Sequence, residues 1–180
     1  MSASGTPSTR WAADICRGLA ALRCREVVYV PDNPLSHVLA ALAGDHPGIR
    51  TTLATREEEA FGIAAGLYLG GARAAVMLQS SGLGNSINAL ASLNVAFEIP
   101  VLMLITLRGG DGEWNPTQQP MGRAVRPILD SLGIPHATID APGGAEAAVR
   151  QMGEQALARR LPGACLLSRA LWAGAPATPA

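Results

Sequence analysis

Residues 55–70, TREEEAFGIAAGLYLG, followed three residues later by 74–79, AAVMLQ, decide the fold of this chain. Thr55 has the chemistry of an N-cap, and Glu58 three residues on predicts a capping box, with Arg56 and Glu57 at the first two helical positions. Counting from Glu57 at helical spacing gives Ala60, Phe61, Ala64 and Tyr68, so its carboxylate shares the apolar side of the helix. A carboxylate held there loses part of its hydration, which suits it to proton transfer. The macrodipole also favours acidic residues in any first turn, so the pattern alone leaves all three glutamates open as helix starters. The apolar run at 74–79 does not alternate, as expected of a strand covered on both faces.

Working outward, the same alternation fills the chain. Helical periodicity at 8–22 leads to a β-rich run at 26–30, and a helix starting near Pro34 leads to a strand at 49–54. Beyond 74–79 a helix is predicted at about 85–97, then the longest apolar strand at 101–107. A loop rich in Gly, Pro, Asn and Gln follows at 108–121, then a helix at about 123–132, a strand at 136–139, a helix at 145–159 and a last strand at 164–168. Strands alternating with helices of this length predict one Rossmann-like α/β domain of three layers, α/β/α, over residues 8–170, with a parallel sheet of about six strands. Residues 1–7 are expected to be a flexible start and 171–180, ending AGAPATPA, a disordered tail.

Composition narrows the function. The chain is 180 residues long, 48% hydrophobic and 16% charged, with zero formal charge, so it offers no basic footprint for nucleic acid or an anionic membrane. No apolar run has the length of a membrane span and residues 1–10 have no signal-peptide core, so a cytoplasmic protein is expected. Cys16, Cys24 and Cys165 are too scattered for a metal site and are expected as reduced core thiols; no metal ligand set is read in this chain. All 14 basic residues are arginine, which removes Schiff-base chemistry and the P-loop lysine.

Ligands of such folds bind beyond the carboxyl ends of the strands, at a topological switch point. Four segments fall there: 31–34, 55–59, 79–85 and 108–119. SSGLGNS lacks the third glycine of GxGxxG, so Gly82 and Gly84 can equally serve a tight strand-to-helix turn, with Asn85 as helix cap. Gly110-Asp111-Gly112 has the form of a diphosphate and magnesium motif, but no asparagine follows Asn115, where that site needs one about 30 residues on. Ser80 and Ser81 stand outside a nucleophile elbow. Arg108 ends an apolar strand and reads two ways: as a forked binder of a sulfonate or phosphonate, or as a strut paired to Asp111 or Glu113.

Glu57 with Ala60 and Gly66 resembles the E-x-x-A-x(5)-G helix of the thiamine diphosphate-dependent 2-oxoacid decarboxylases, in their pyrimidine-binding domain. QSSGLGN is similar to the QNSGLGN of phosphonopyruvate and sulfopyruvate decarboxylases, and RGG, GE, NP and PMG within 108–122, then LGIP, resemble the α subunit of the latter. The resemblance implies that Glu57 is catalytic and bonds N1′ of the cofactor's aminopyrimidine, with Gly82, Gly84 and Asn85 beside the cofactor. It places Asn33, Arg108 and Gln118 near the substrate, although Asn33 reads equally as a turn residue. It implies a subunit of a decarboxylase of short anionic 2-oxoacids, most simply 3-sulfopyruvate and alternatively 3-phosphonopyruvate. The subunit would be inactive without a β subunit that holds the diphosphate and Mg2+, and it would self-associate within a hetero-oligomer. A flavodoxin-like binding module without catalysis is the alternative from another class.

Overall fold

The computed structural model describes residues 9–172. The expected flexible start at 1–7 lies outside the described residues, as does the tail beyond residue 172. Leu171 and Trp172, expected in that tail, instead close a short helix, with Leu171 buried on the core.

Six strands are all parallel: β1 (Glu26–Tyr29), β2 (Arg50–Leu53), β3 (Ala74–Gln79), β4 (Leu102–Thr106), β5 (His136–Ile139) and β6 (Gly163–Leu167), in the spatial order β2-β1-β3-β4-β6-β5. Helices α1 (Arg10–Ala21), α2 (Leu35–Asp45) and α6 (Ala145–Arg159) cover one face, joined by the short α7 (Arg169–Trp172). Helices α3 (Glu57–Leu69), α4 (Ser80–Ala89) and α5 (Gln119–Ser131) cover the other. The central strands explain this arrangement. Ala75 and Met77 of β3 pack into one layer while Val76 and Leu78 pack into the other, all fully buried, and each large side chain so enclosed contributes roughly 1.5–3 kcal/mol. A strand apolar on both faces needs helices on both sides.

Chain order runs outward from β1 to β2, then returns to β3 on the other side of β1, so the switch point lies between β1 and β3. The helix after β1 covers one face and the helix after β3 the other, which opens a crevice at their carboxyl ends.

Most expected elements stand within a residue or two of their observed bounds. The segment after β3 departs furthest. Its helix was expected from about Asn85, but α4 begins at Ser80, directly after the strand, and continues through a π-helical turn at Leu90–Val95. Helical backbone here tolerates two glycines because their missing Cβ atoms leave room for neighbouring side chains.

Candidate active site at the carboxyl edge

After β2 the ladder runs one residue further, with Ala54 donating its N–H to the Tyr29 carbonyl at 2.9 Å, and Arg56 is still extended at φ −143° and ψ 155°. Arg56 therefore takes the N-cap position expected of Thr55, and Glu57 becomes the first helical residue. The capping partners shift with it. Glu59, not Glu58, reaches back, its Oε2 accepting the Thr55 N–H at 2.7 Å, and that bond holds its pKa below the ordinary carboxylate value. Glu58 pairs instead with Arg56 at 2.7 Å, and its second oxygen is buried with no hydrogen-bond partner. Extended backbone at 56, imposed by the exit from the sheet, explains the one-residue displacement.

Ala60, Phe61 and Ala64 are buried as expected, and they pull Glu57 onto the face that meets α4. There the half-buried Glu57 lies across Gly82. A Cβ at residue 82 would stand 2.5 Å from Glu57 Cγ and 2.8 Å from Oε1, closer than such contacts allow. Three residues on, Asn85 donates from Nδ2 to Glu57 Oε2 at 3.1 Å. Asn85 is thus no helix cap but an interior residue of α4 facing Glu57. Among the described residues nothing bonds Glu57 Oε1. Gly84 serves another contact, where a Cβ would come 2.8 Å from Met121 Cε, so it lets α5 approach α4.

The loop between β4 and α5 is tied to the same helix. Fully buried Ser80 donates to the Thr106 carbonyl at 3.1 Å and accepts the Arg108 N–H at 3.0 Å. Ser81 donates to Gln118 Oε1 at 3.1 Å. Gly122 packs against backbone, where a Cβ would fall 1.9 Å from the Arg108 carbonyl oxygen, and Gly109 adopts φ +73° beneath residues 118 and 119. Gln118 and Glu57 are therefore held by neighbouring residues of α4.

Arg108 is enclosed by opposite charge. Its Nη1 lies 3.6 Å from Asp32 Oδ1 and its Nε 3.4 Å from Glu113 Oε2, while its guanidinium carbon is 5.5 Å from the centre of the Trp172 ring. Asp32 also accepts from Thr106 Oγ1. The Glu113 side chain is 1% exposed. Burial alone would raise its pKa, but the N–H groups of Asn115 and Gly109 and the charges of Arg108 and Arg169 outweigh that and lower it. Arg108 thus pairs with Glu113, as the strut reading expects, and with Asp32, a partner that local sequence does not reveal, while its buried Nε has no hydrogen-bond partner among the described residues. Asn33 is exposed, and its carbonyl accepts from Ser36 N at 3.2 Å and Oγ at 2.6 Å to open α2; its side-chain amide is bonded by none of the described residues.

The last carboxyl-edge segment expected from the sequence, 108–119, follows β4. Glu113 was expected as a partner of Arg108, but Asp32 was not, and neither was a role for Arg169, which follows Ser168 at the end of β6. Applying the strand-end rule to the last strand as well would have found Arg169. A narrow apolar cavity of about 30 Å³ lies at the opposite edge, between α1, α6 and the amino ends of β3 and β4. It has room for about one water, and Cys24, Tyr68 and Arg73 are its titratable lining.

Comparison with known proteins places residues 9–120 in the family described as thiamine pyrophosphate enzyme, N-terminal TPP binding domain. The chain is 41% identical over 145 residues to the sulfopyruvate decarboxylase α subunit of Methanothermobacter thermautotrophicus, covering 81% of this chain and 87% of that one. It is 49% identical over 106 residues to the corresponding subunit of Methanocaldococcus jannaschii, covering 59% and 62%. A phosphonopyruvate decarboxylase of Streptomyces viridochromogenes is 38% identical over 66% of this chain and 30% of its own length. Among solved structures, a 2-oxoglutarate:ferredoxin oxidoreductase from Magnetococcus marinus superposes with a TM-score of 0.73 over 90% of this chain and 29% of that one, at 17% identity, a likeness of fold.

Proposed function

Because this chain belongs to the thiamine pyrophosphate enzymes, through their N-terminal TPP-binding domain, we propose that it is the α subunit of a two-subunit decarboxylase that converts 3-sulfopyruvate and a proton to sulfoacetaldehyde and carbon dioxide. The observation that carries the reading is the seating of Glu57 across Gly82 at the carboxyl edge of the sheet.

The residues fit the aminopyrimidine part of thiamine diphosphate. Asn85 fixes one carboxylate oxygen of Glu57, and the other remains an acceptor toward a ring nitrogen. Lack of a side chain at Gly82 keeps the carboxylate in that position. When bound, thiamine diphosphate supplies the nucleophilic carbon and the electron sink for loss of carbon dioxide. Glu57 orients the ring and shares a proton with it. Asn85 keeps Glu57 aligned, Gln118 is presented to the substrate side by Ser81, and Asn33 borders the crevice from the end of β1. Arg108 holds the loop that carries Gln118.

Diphosphate and Mg2+ fall in this reading to a β subunit, since Asp111 and Gly112 are not followed by the asparagine such a site needs. The test is reconstitution. Purified alone with thiamine diphosphate and Mg2+, the chain should release no aldehyde from 3-sulfopyruvate, and addition of the β chain should restore release. Activity of the isolated chain, or silence of the reconstituted complex toward 3-sulfopyruvate, would refute it. The phosphonopyruvate decarboxylase relatives make 3-phosphonopyruvate the second substrate to assay.

A further inference from the structure

The sulfonate of the proposed substrate needs a cation with hydrogen bonds to give, and Arg108, which the sequence put forward, has two carboxylates already against it. A guanidinium so surrounded has little attraction left for a third anion. A second arginine stands on the same edge. Arg169 follows Ser168 at the carboxyl end of β6, the strand hydrogen-bonded to β4, so both arginines extend from neighbouring strand ends.

Their surroundings differ. Among the described residues no carboxylate lies within 4.0 Å of the Arg169 guanidinium. Its partner is the Trp172 ring, 5.3 Å from the guanidinium carbon, and that ring is anchored by its own Nε1–H donating to the Leu167 carbonyl at 3.4 Å. Stacking on an indole restrains a long side chain without spending its charge or its in-plane N–H donors. Space is kept beside it as well. Gly112, at φ +77°, has no Cβ, and one there would come 3.3 Å from Arg169 Nε. The Arg169 charge acts on the Glu113 carboxylate, but Gly109, Asn115 and Arg108 occupy its oxygens.

We propose that Arg169, not Arg108, is the residue of this chain that binds the distal anionic group of the substrate, a sulfonate or phosphonate received through paired N–H donors. This rests on the decarboxylase reading for the identity of the substrate. Forked recognition of a tetrahedral oxyanion suits a guanidinium held in place on an aromatic ring.

The test uses the αβ complex and sulfoacetate, which carries the sulfonate but no 2-oxo group, so binding is read without turnover. Calorimetry should show sulfoacetate binding to the complex and an affinity loss of about 10- to 100-fold in Arg169→Met, the scale of a hydrogen bond to a charged group. Arg169→Lys, which keeps the charge but not the fork, should fall between. In kinetics with 3-sulfopyruvate the change should appear in KM more than in kcat. Arg169→Gln, with melting temperature checked, guards against misfolding of the methionine variant. Undiminished sulfoacetate affinity in correctly folded Arg169 variants, or no binding to the parent complex, would overturn the inference. A complex that binds sulfoacetate through Arg169 yet decarboxylates no anionic 2-oxoacid would instead refute the proposed reaction.

Discussion

Glu57 keeps its position because residue 82 has no Cβ and because Asn85, one turn further along α4, donates to it. The three adjacent glutamates thus have three different tasks. Glu57→Gln in the reconstituted complex should preserve the fold and slow turnover by about 10²-fold or more, the usual contribution of a positioned acid-base group. Glu58→Gln disturbs only the pair with Arg56 and should change stability by about 1 kcal/mol or less. Equal turnover of the two variants at matched circular dichroism would remove Glu57 from its role. Arg108→Met makes the opposite kind of prediction. It strands Glu113 and Asp32, both nearly buried, so unfolding free energy should fall by about 3–5 kcal/mol by urea titration. A loss confined to anion affinity, with stability intact, would return Arg108 to substrate binding. The sequence offered Glu113, five residues away, as a partner for Arg108, whereas Asp32 arrives from 76 positions upstream only because β1 and β4 both flank β3.

At the level of elements, the site is a joint between the first turn of α3 and the first turns of α4, with the loop from β4 clamped on the far side. Gly82→Ala should strain that joint, since the added methyl overlaps the Glu57 side chain and not backbone. Rotation of Glu57 away from Asn85 can relieve the overlap, so activity should fall far more than melting temperature. Steady-state kinetics beside calorimetric melting would check this, and unchanged kcat would contradict it. The clamp is sensitive to acid. Glu113 has a pKa lowered on folding, so its contribution is present above the ordinary carboxylate value of 4.5 and is lost as pH falls through the lowered folded value. The stability difference between the parent chain and Glu113→Gln should therefore be largest near neutral pH and shrink below about pH 4. Urea unfolding at a series of pH values measures it, and a pH-independent difference would contradict the buried-carboxylate account. Helix α4 was the element least legible in the sequence. Its glycines read as a turn, because the neighbour that each glycine accommodates, Glu57 or Met121, belongs to another element.

For the whole molecule, the parallel sheet brings Glu57, Asp32, Gln118 and Arg169 to one edge, from four separate strand exits. The proposed division of the cofactor between two chains predicts a complex containing α and β chains in equal number by sedimentation of the mixture, formed whether or not Glu57 is replaced by Gln. Separate sedimentation of the two chains at micromolar concentration would count against it. The sequence by itself determined the alternation of helix and strand, the burial of β3 and β4 on both faces, and the edge on which ligands would sit. These follow from periodicity and run length, which act between residues close in the chain. Helical spacing also turned Glu57 toward the apolar side, although only the likeness of its motif to a known family set it apart from the two glutamates that follow. Only the tertiary structure decided that Gly82 and Asn85 serve Glu57, that capping falls to Glu59, and that Arg108 has two carboxylates within ion-pair distance while Arg169 has none among the described residues. Each of those depends on which strand lies beside which and on where a side chain from a distant element ends, and charge compensation between strand ends leaves no periodic signal in the chain.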